Sequence, residues 1–187
     1  MNSPNMNEIE CQVNVIKNLI DNKEYTEALF EIDECLKMKE IPMSISYMLN
    51  HQAGLICLQN INDFDMSLSY LMKTYTNYQQ IEGLLEIVSY YQRNNRTMLA
   101  YSLSVVCLFT NIIPDISCNE FIYDYMRYYI HSMICLDFGK YGEAIENIKK
   151  CIEYLQPEMK EYFELMESCK LIFEKSNDLL SNKNKAK

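Results

Sequence analysis

Glycine and proline are scarce in this chain, at 4 each in 187 residues, and tryptophan is absent. An all-β domain needs such residues at its many tight turns, so their scarcity argues against one and favours long helices joined by few special turns. Long apolar runs are also missing. The longest lies around residues 103–109, well short of the roughly 20 residues a membrane-spanning helix needs. Cationic surface is lacking too. The net charge is -9, and the only basic cluster is Lys183, Lys185 and Lys187. Nucleic-acid binding rests on Lys and Arg at phosphates, so no nucleic-acid partner is expected, and the lysines read as a solvated tail.

Signatures of site chemistry are equally sparse. Histidine occurs twice, at His51 and His131, and the 8 cysteines include no Cys-x-x-Cys pair. Neither a zinc knuckle nor a redox dithiol is signalled. The first residues show no basic start followed by an apolar run, so no secretory leader is expected. The cysteines are then expected to be reduced, mostly buried thiols in a cytoplasmic protein.

What is present is apolar residues at helical spacing. They make up 49% of the chain, enough for a packed core and too many for a disordered protein. Ile9, Val13, Ile16 and Leu19 or Ile20 share one face of a first predicted helix over 8–20. A second runs over 25–38 with Ala28, Leu29, Ile32 and Cys35 inward, and Pro42 ends it. Helices follow over 43–60 and 66–76, with Ala53 and Gly54 small enough for a close helix–helix approach and Asp65 as the expected cap. A third pair spans 81–94 and 97–111, separated by the helix stop Asn94-Asn95. After an irregular connection at 115–119, a fourth pair spans 120–138 and 141–155, with Gly139 as C-cap glycine. Pro157 opens a last helix over 158–175. The expected organisation is a frayed segment 1–7, a helical domain 8–175 and a disordered polar tail 176–187.

Small residues recur at Ala28, Ser67, Ala100 and Ala144, at intervals within the range of helical repeats. A lone helix pair cannot bury its apolar side, so successive pairs must stack. Tyr141, Ala144, Ile148, Cys151 and the following Pro157 resemble the second helix of a tetratricopeptide repeat. Tyr25, Ala28, Ile32 and Cys35 match the same spacing; Phe64, Ser67 and Leu71 match more weakly. The first helices depart from the pattern, with Ile16 and Val88 where a small residue belongs; Ser132 fits. The segment from Glu82, with Leu84, Glu86, Tyr90-Tyr91 and Leu99-Ala100-Tyr101, then Tyr123-Asp124-Tyr125, resembles a repeat subtype found beside or fused to glycosyltransferases. The resemblance implies an all-α, right-handed solenoid of about four helix pairs with a C-terminal capping helix.

Several residues invite a chemical reading. Asp63-Phe64-Asp65 has the Asp-x-Asp form that holds a metal and a nucleotide sugar in glycosyltransferases. No strand or glycine-rich loop accompanies it, so it reads as a polar turn. His131 and Cys135 are spaced for one helix face, but with no further ligand or orienting acid in view they read as helix packing. Tyr123, Tyr125, Tyr128 and Tyr129 read as core and rim before they read as a binding surface. Glu158, Glu161, Glu164 and Glu167 read as the solvated face of the last helix. No catalytic residue, cofactor or metal is assigned.

The function expected is a non-catalytic interaction scaffold. Glu86, Ser89, Gln92 and Arg93, with Met126, Tyr129 and Met133, would line a concave groove for a protein or peptide segment. The alternative, implied by the resemblance, is an accessory domain working with a glycosyltransferase in glycan synthesis.

Overall fold

The computed structural model describes residues 6–111, 121–155, 157 and 162–185. All the regular structure among them is helical, with no strand. Two compact units divide these residues: 6–83 form the first, and 84–111 with those from 121 onward form the second.

The first unit holds α1 (Met6–Asp21), α2 (Tyr25–Leu36), α3 (Met43–Ile56) and α4 (Phe64–Tyr78), with a π-helical turn at Cys57–Ile61 after α3. Helix α5 (Glu82–Arg93) begins at its edge. The second unit continues with α6 (Thr97–Phe109), a π-helical turn at Ile122–Met126, α7 (Arg127–Asp137), α8 (Tyr141–Tyr154) and α9 (Tyr162–Lys185). No helix among the described residues is long and apolar enough to cross a membrane.

The helices form hairpins α1/α2, α3/α4, α5/α6 and α7/α8, built on one local plan. Each turn carries a left-handed residue: Lys23 (φ 64°), Asn62 (60°), Asn95 (57°) and Gly139 (76°). Asparagine and glycine are the usual residues there; Lys23 is not, and it has no relief from the Cβ–carbonyl crowding. The next residue closes the turn through its N–H, from Glu24 to Leu19 O, Asp63 to Cys57 O, Arg96 to Tyr91 O and Lys140 to Cys135 O, at 2.8–2.9 Å. Its carbonyl accepts the first bond of the following helix, from Ala28, Ser67, Ala100 or Ala144. The Asp63 bond reaches back one residue further than the others, because the π turn inserts an extra residue.

The second helix of each hairpin buries its fourth, eighth and eleventh residues. These are Ala28, Ile32 and Cys35; Ser67, Leu71 and Thr74; Ala100, Ser104 and Cys107; and Ala144, Ile148 and Cys151, each at most 1% exposed. The recurrent small residues are thus the points of closest approach. Ser67 donates to the carbonyl of Gly54 at 2.8 Å, the close α3–α4 contact expected at Ala53-Gly54. In the first unit the core gathers Ile16, Ile32, Leu49 and Ile56 around Ala28 and Ala53. In the second, Ile148, Cys151, Cys169 and Ile172 join α8 to α9.

Three expectations change. Asp63, not Asp65, caps α4: its Oδ1 accepts from Met66 N at 2.9 Å, and the helix begins two residues early. The helix expected over 43–60 is continuous but ends in a π turn, Cys57–Ile61, and the one expected over 120–138 opens, among its described residues, with a π turn, Ile122–Met126. The last helix continues beyond Ser176, where the sequence suggests a disordered tail, to Lys185. Burial of Ile172 and Ser176 extends its inner face. Lys183 and Lys185 in its last turn suit the negative end of the helix dipole, and Lys183 Nζ lies 5.7 Å from the Tyr141 ring centroid. The connection expected at 115–119 and the helix start at 158 lie outside the described residues.

Two glycines separate packing from propensity. A Cβ at Gly83 would lie 2.2 Å from Thr74 Oγ1 and 2.8 Å from the Leu71 carbonyl oxygen, whereas one at Gly142 would meet nothing within 4 Å. Gly83→Ala is expected to destabilise the protein by about 1–3 kcal/mol. Gly142→Ala is expected to be neutral or to stabilise by up to about 1 kcal/mol. Urea denaturation followed by circular dichroism measures both.

Candidate functional site

The polar side chains buried together in the second unit come from three consecutive helices. Tyr101 and Ser104 are one turn apart on α6, His131 and Cys135 one turn apart on α7, and Glu143 sits in the first turn of α8. Gly139 reverses the chain so that the start of α8 returns along the end of α7, which sets Glu143 beside His131.

Ser104 Oγ donates to Tyr101 O at 2.8 Å and lies 2.8 Å from His131 Nδ1. His131 Nε2 lies 3.0 Å from Glu143 Oε1 and 3.2 Å from Cys135 Sγ. The Tyr101 hydroxyl donates to Glu143, 3.0 Å from Oε2, and accepts from Lys140 Nζ at 2.9 Å. Lys140 Nζ is also 3.5 Å from Glu143 Oε2. The Tyr101 ring packs on Phe138 and tilts against His131. Ser104, His131 and Cys135 are buried, while the Glu143 side chain is 32% exposed.

Burial holds His131 below the ordinary imidazole range, against the opposing pull of Glu143. Burial, with the Glu143 charge, pushes the Cys135 thiol up to about 12. Burial also acts to raise Glu143, but hydrogen bonds from His131 and Tyr101 outweigh it and hold the carboxyl below its usual range. The orienting acid that His131 and Cys135 lack in the sequence reading is therefore Glu143. It sits in a different helix, and only the hairpin turn at Gly139 could have pointed to it.

Beside this cluster lies an open cavity of about 780 Å³, lined by Val105, Leu108, Phe109, Arg127, Glu143 and Lys150, among others. Arg127 Nη1 donates to Thr110 O at 2.9 Å, while its buried Nε has no hydrogen-bond partner among the described residues. The Tyr128 ring stacks on Tyr154 and lies 5.1 Å from the Arg127 guanidinium and 5.8 Å from Lys150 Nζ. Phe109 is 80% exposed at the rim.

The groove residues expected from sequence fall into two groups. Gln92 and Met133 come together, lining a cavity of about 240 Å³ with Leu171 and Lys175 of α9. Gln92 Nε2 donates to Asp137 at 3.0 Å, and Arg93 Nε to Ser89 O at 3.3 Å. Glu86 is half-buried. Met126, Tyr129 and Met133 pack against the α8–α9 core, so the last helix takes up much of the face they were expected to present. Tyr123 and Tyr125 are buried, in keeping with a core role. His51 stacks on Tyr47 with its Nε2 unpaired among the described residues. Glu164 and Glu167 are exposed; Glu158 and Glu161 lie outside the described residues. Of the described cysteines, all are unbridged, and only Cys11 is exposed.

Burial raises the pKa of Glu86, with Arg93 opposing. A carboxyl with a raised folded-state pKa favours folding below its unfolded value and loses that contribution as pH rises through the folded value. Glu86→Gln is therefore expected to stabilise the protein at pH 7 relative to wild type and to lose that advantage near pH 3, read from urea midpoints at the two pH values. Tyr101→Phe keeps the ring but removes the hydroxyl between Lys140 and Glu143. It is expected to cost about 1–2 kcal/mol in the same assay at pH 7.

Comparison with protein-family models, with curated proteins and with solved structures finds no match to this chain.

Proposed function

We propose that this chain is a non-catalytic, tetratricopeptide-like binding protein whose docking site is the open cavity between α6, α7 and α8. The observation that carries the reading is Arg127. Its buried Nε faces no acceptor among the described residues, although a buried unpaired donor costs about 1–3 kcal/mol. A ligand acceptor would relieve that cost once the guanidinium, which lines the cavity, turns its sealed Nε towards it. Lys150 adds a second cation beside it, and Val105, Leu108 and Phe109 supply an apolar wall. The occupant with matching chemistry is a polypeptide segment that carries a carboxylate or amide carbonyl next to an apolar side chain. Glu143 and Glu146 line the same cavity and select against segments of uniform negative charge. Gln92, Arg93 and Met133 extend the candidate surface elsewhere in the unit.

Panning a displayed random-peptide library against the full chain tests this. It is expected to enrich a family of peptides with an acidic or amide residue beside an apolar one. Their binding should fall at least tenfold in the Arg127→Glu/Lys150→Glu double variant and persist in Arg93→Glu. Enriched peptides that bind the double variant equally well would contradict the assignment of the cavity. A glycosyltransferase segment that binds with the same dependence would support the accessory role implied by the resemblance.

A further inference from the structure

We propose that His131 Nε2, Cys135 Sγ and a Glu143 carboxylate oxygen form a binding site for one transition-metal ion of the zinc class. The inference does not rest on the peptide-binding reading: the two share the cavity and Glu143, but neither Arg127 nor Lys150 is a ligand.

Four close contacts link Tyr101 O, Ser104 Oγ, the two His131 nitrogens, Cys135 Sγ and Glu143 Oε1. The hydrogens on these groups admit two arrangements. With the Ser104 hydrogen shared towards His131 Nδ1, the imidazole carries its own hydrogen on Nε2 and donates to Glu143 Oε1. With Ser104 donating to Tyr101 O, Ser104 accepts from Nδ1–H and Nε2 is left with a lone pair. In that second tautomer Nε2, Cys135 Sγ and Glu143 Oε1 stand together as a ligand set for a metal ion.

The surroundings favour the metal. Imidazole nitrogen, thiolate and carboxylate are the zinc donor set, and three protein ligands with a fourth open position is a familiar arrangement. The His131 and Cys135 donors lie one turn apart on the same helix, and all three ligand atoms lie within 4.8 Å of one another. Tetrahedral zinc places neighbouring N, O and S ligands roughly 3.3–3.6 Å apart, so the 3.0 and 3.2 Å contacts to Nε2 open by a few tenths of an ångström, while Cys135 Sγ and Glu143 Oε1, within 4.8 Å of each other, come to that spacing. Ser104 is placed to accept from Nδ1–H, the tautomer that frees Nε2, as the outer-shell partner of a metal-bound histidine does. The Tyr101 hydroxyl lies 3.1 Å from Oε1 and 3.0 Å from Oε2 of Glu143, and Lys140 Nζ 3.5 Å from Oε2, so the carboxylate is held in place beside His131. Glu143 lines the open cavity, which provides an entry path and room for water as the fourth ligand. On binding, the Cys135 S–H bond breaks, its proton passes to solvent and the thiolate sulfur forms the metal bond.

Titration of the full, metal-stripped chain with Co(II) tests the site, with competition by Zn(II). One equivalent of cobalt is expected to give a thiolate-to-cobalt charge-transfer band with about one proton released per ion, and zinc is expected to displace it. Cys135→Ser should abolish the band, and Glu143→Gln should weaken binding at least tenfold. Ser104→Ala should weaken it by about 10–100-fold. Cys11→Ser, at the exposed cysteine, should change nothing. A band that survives Cys135→Ser would overturn the proposal. So would the absence of stoichiometric cobalt binding in a folded wild-type chain.

Discussion

The structure depends on how closely two helices of a hairpin can approach. In each hairpin the second helix buries its fourth residue completely, and that residue is Ala28, Ser67, Ala100 or Ala144. A larger side chain there would push the helices apart and break the contacts of the eighth and eleventh residues. The turn fixes this register. A left-handed residue, one closing N–H and one accepting carbonyl set the first residue of the helix, and with it every inward position that follows. The abundance of cysteine follows from the same constraint. Cys35, Cys107 and Cys151 occupy the eleventh position, where a small apolar side chain is wanted.

The candidate site arises where this pattern is broken. At the eighth position three second helices place Ile32, Leu71 and Ile148, while α6 places Ser104. The small hydroxyl leaves space and a hydrogen-bonding group in the interior, and the imidazole of His131 takes both. Burying that ring demands partners, which Cys135 and Glu143 supply. Glu143 in turn is held by Tyr101 and Lys140. A polar network of this kind, built across three helices, is a departure from good local packing, and such departures tend to mark function.

Much of the fold was legible in the sequence because it is written in local signals. The 3.6-residue spacing of apolar residues located the helices, Asn94-Asn95 and Gly139 marked turns, and the recurring small residues marked the repeat. The cap of α4 was misplaced by two residues because Asp63 and Asp65 are equally good caps in isolation, and only the turn geometry chooses Asp63. The π turns leave no mark in the apolar spacing, which runs through them as through an α-helix. The site was legible only in part. His131 and Cys135 stood out at one-turn spacing, but Ser104 and Glu143 meet them through tertiary packing. The groove drawn over Met126, Tyr129 and Met133 assumed an open face, whereas α9 packs there; where the last helix docks is a tertiary fact that no repeat pattern encodes.

The buried fourth position is the claim on which the rest stands, and the free energy of unfolding of single leucine variants tests it most directly. Leucine at Ala28, Ala100 or Ala144 should lower stability by about 1–3 kcal/mol or more, while leucine at the exposed neighbours Thr26 and Met98 should leave it nearly unchanged. Leucine accepted without loss at all three alanines would contradict the account.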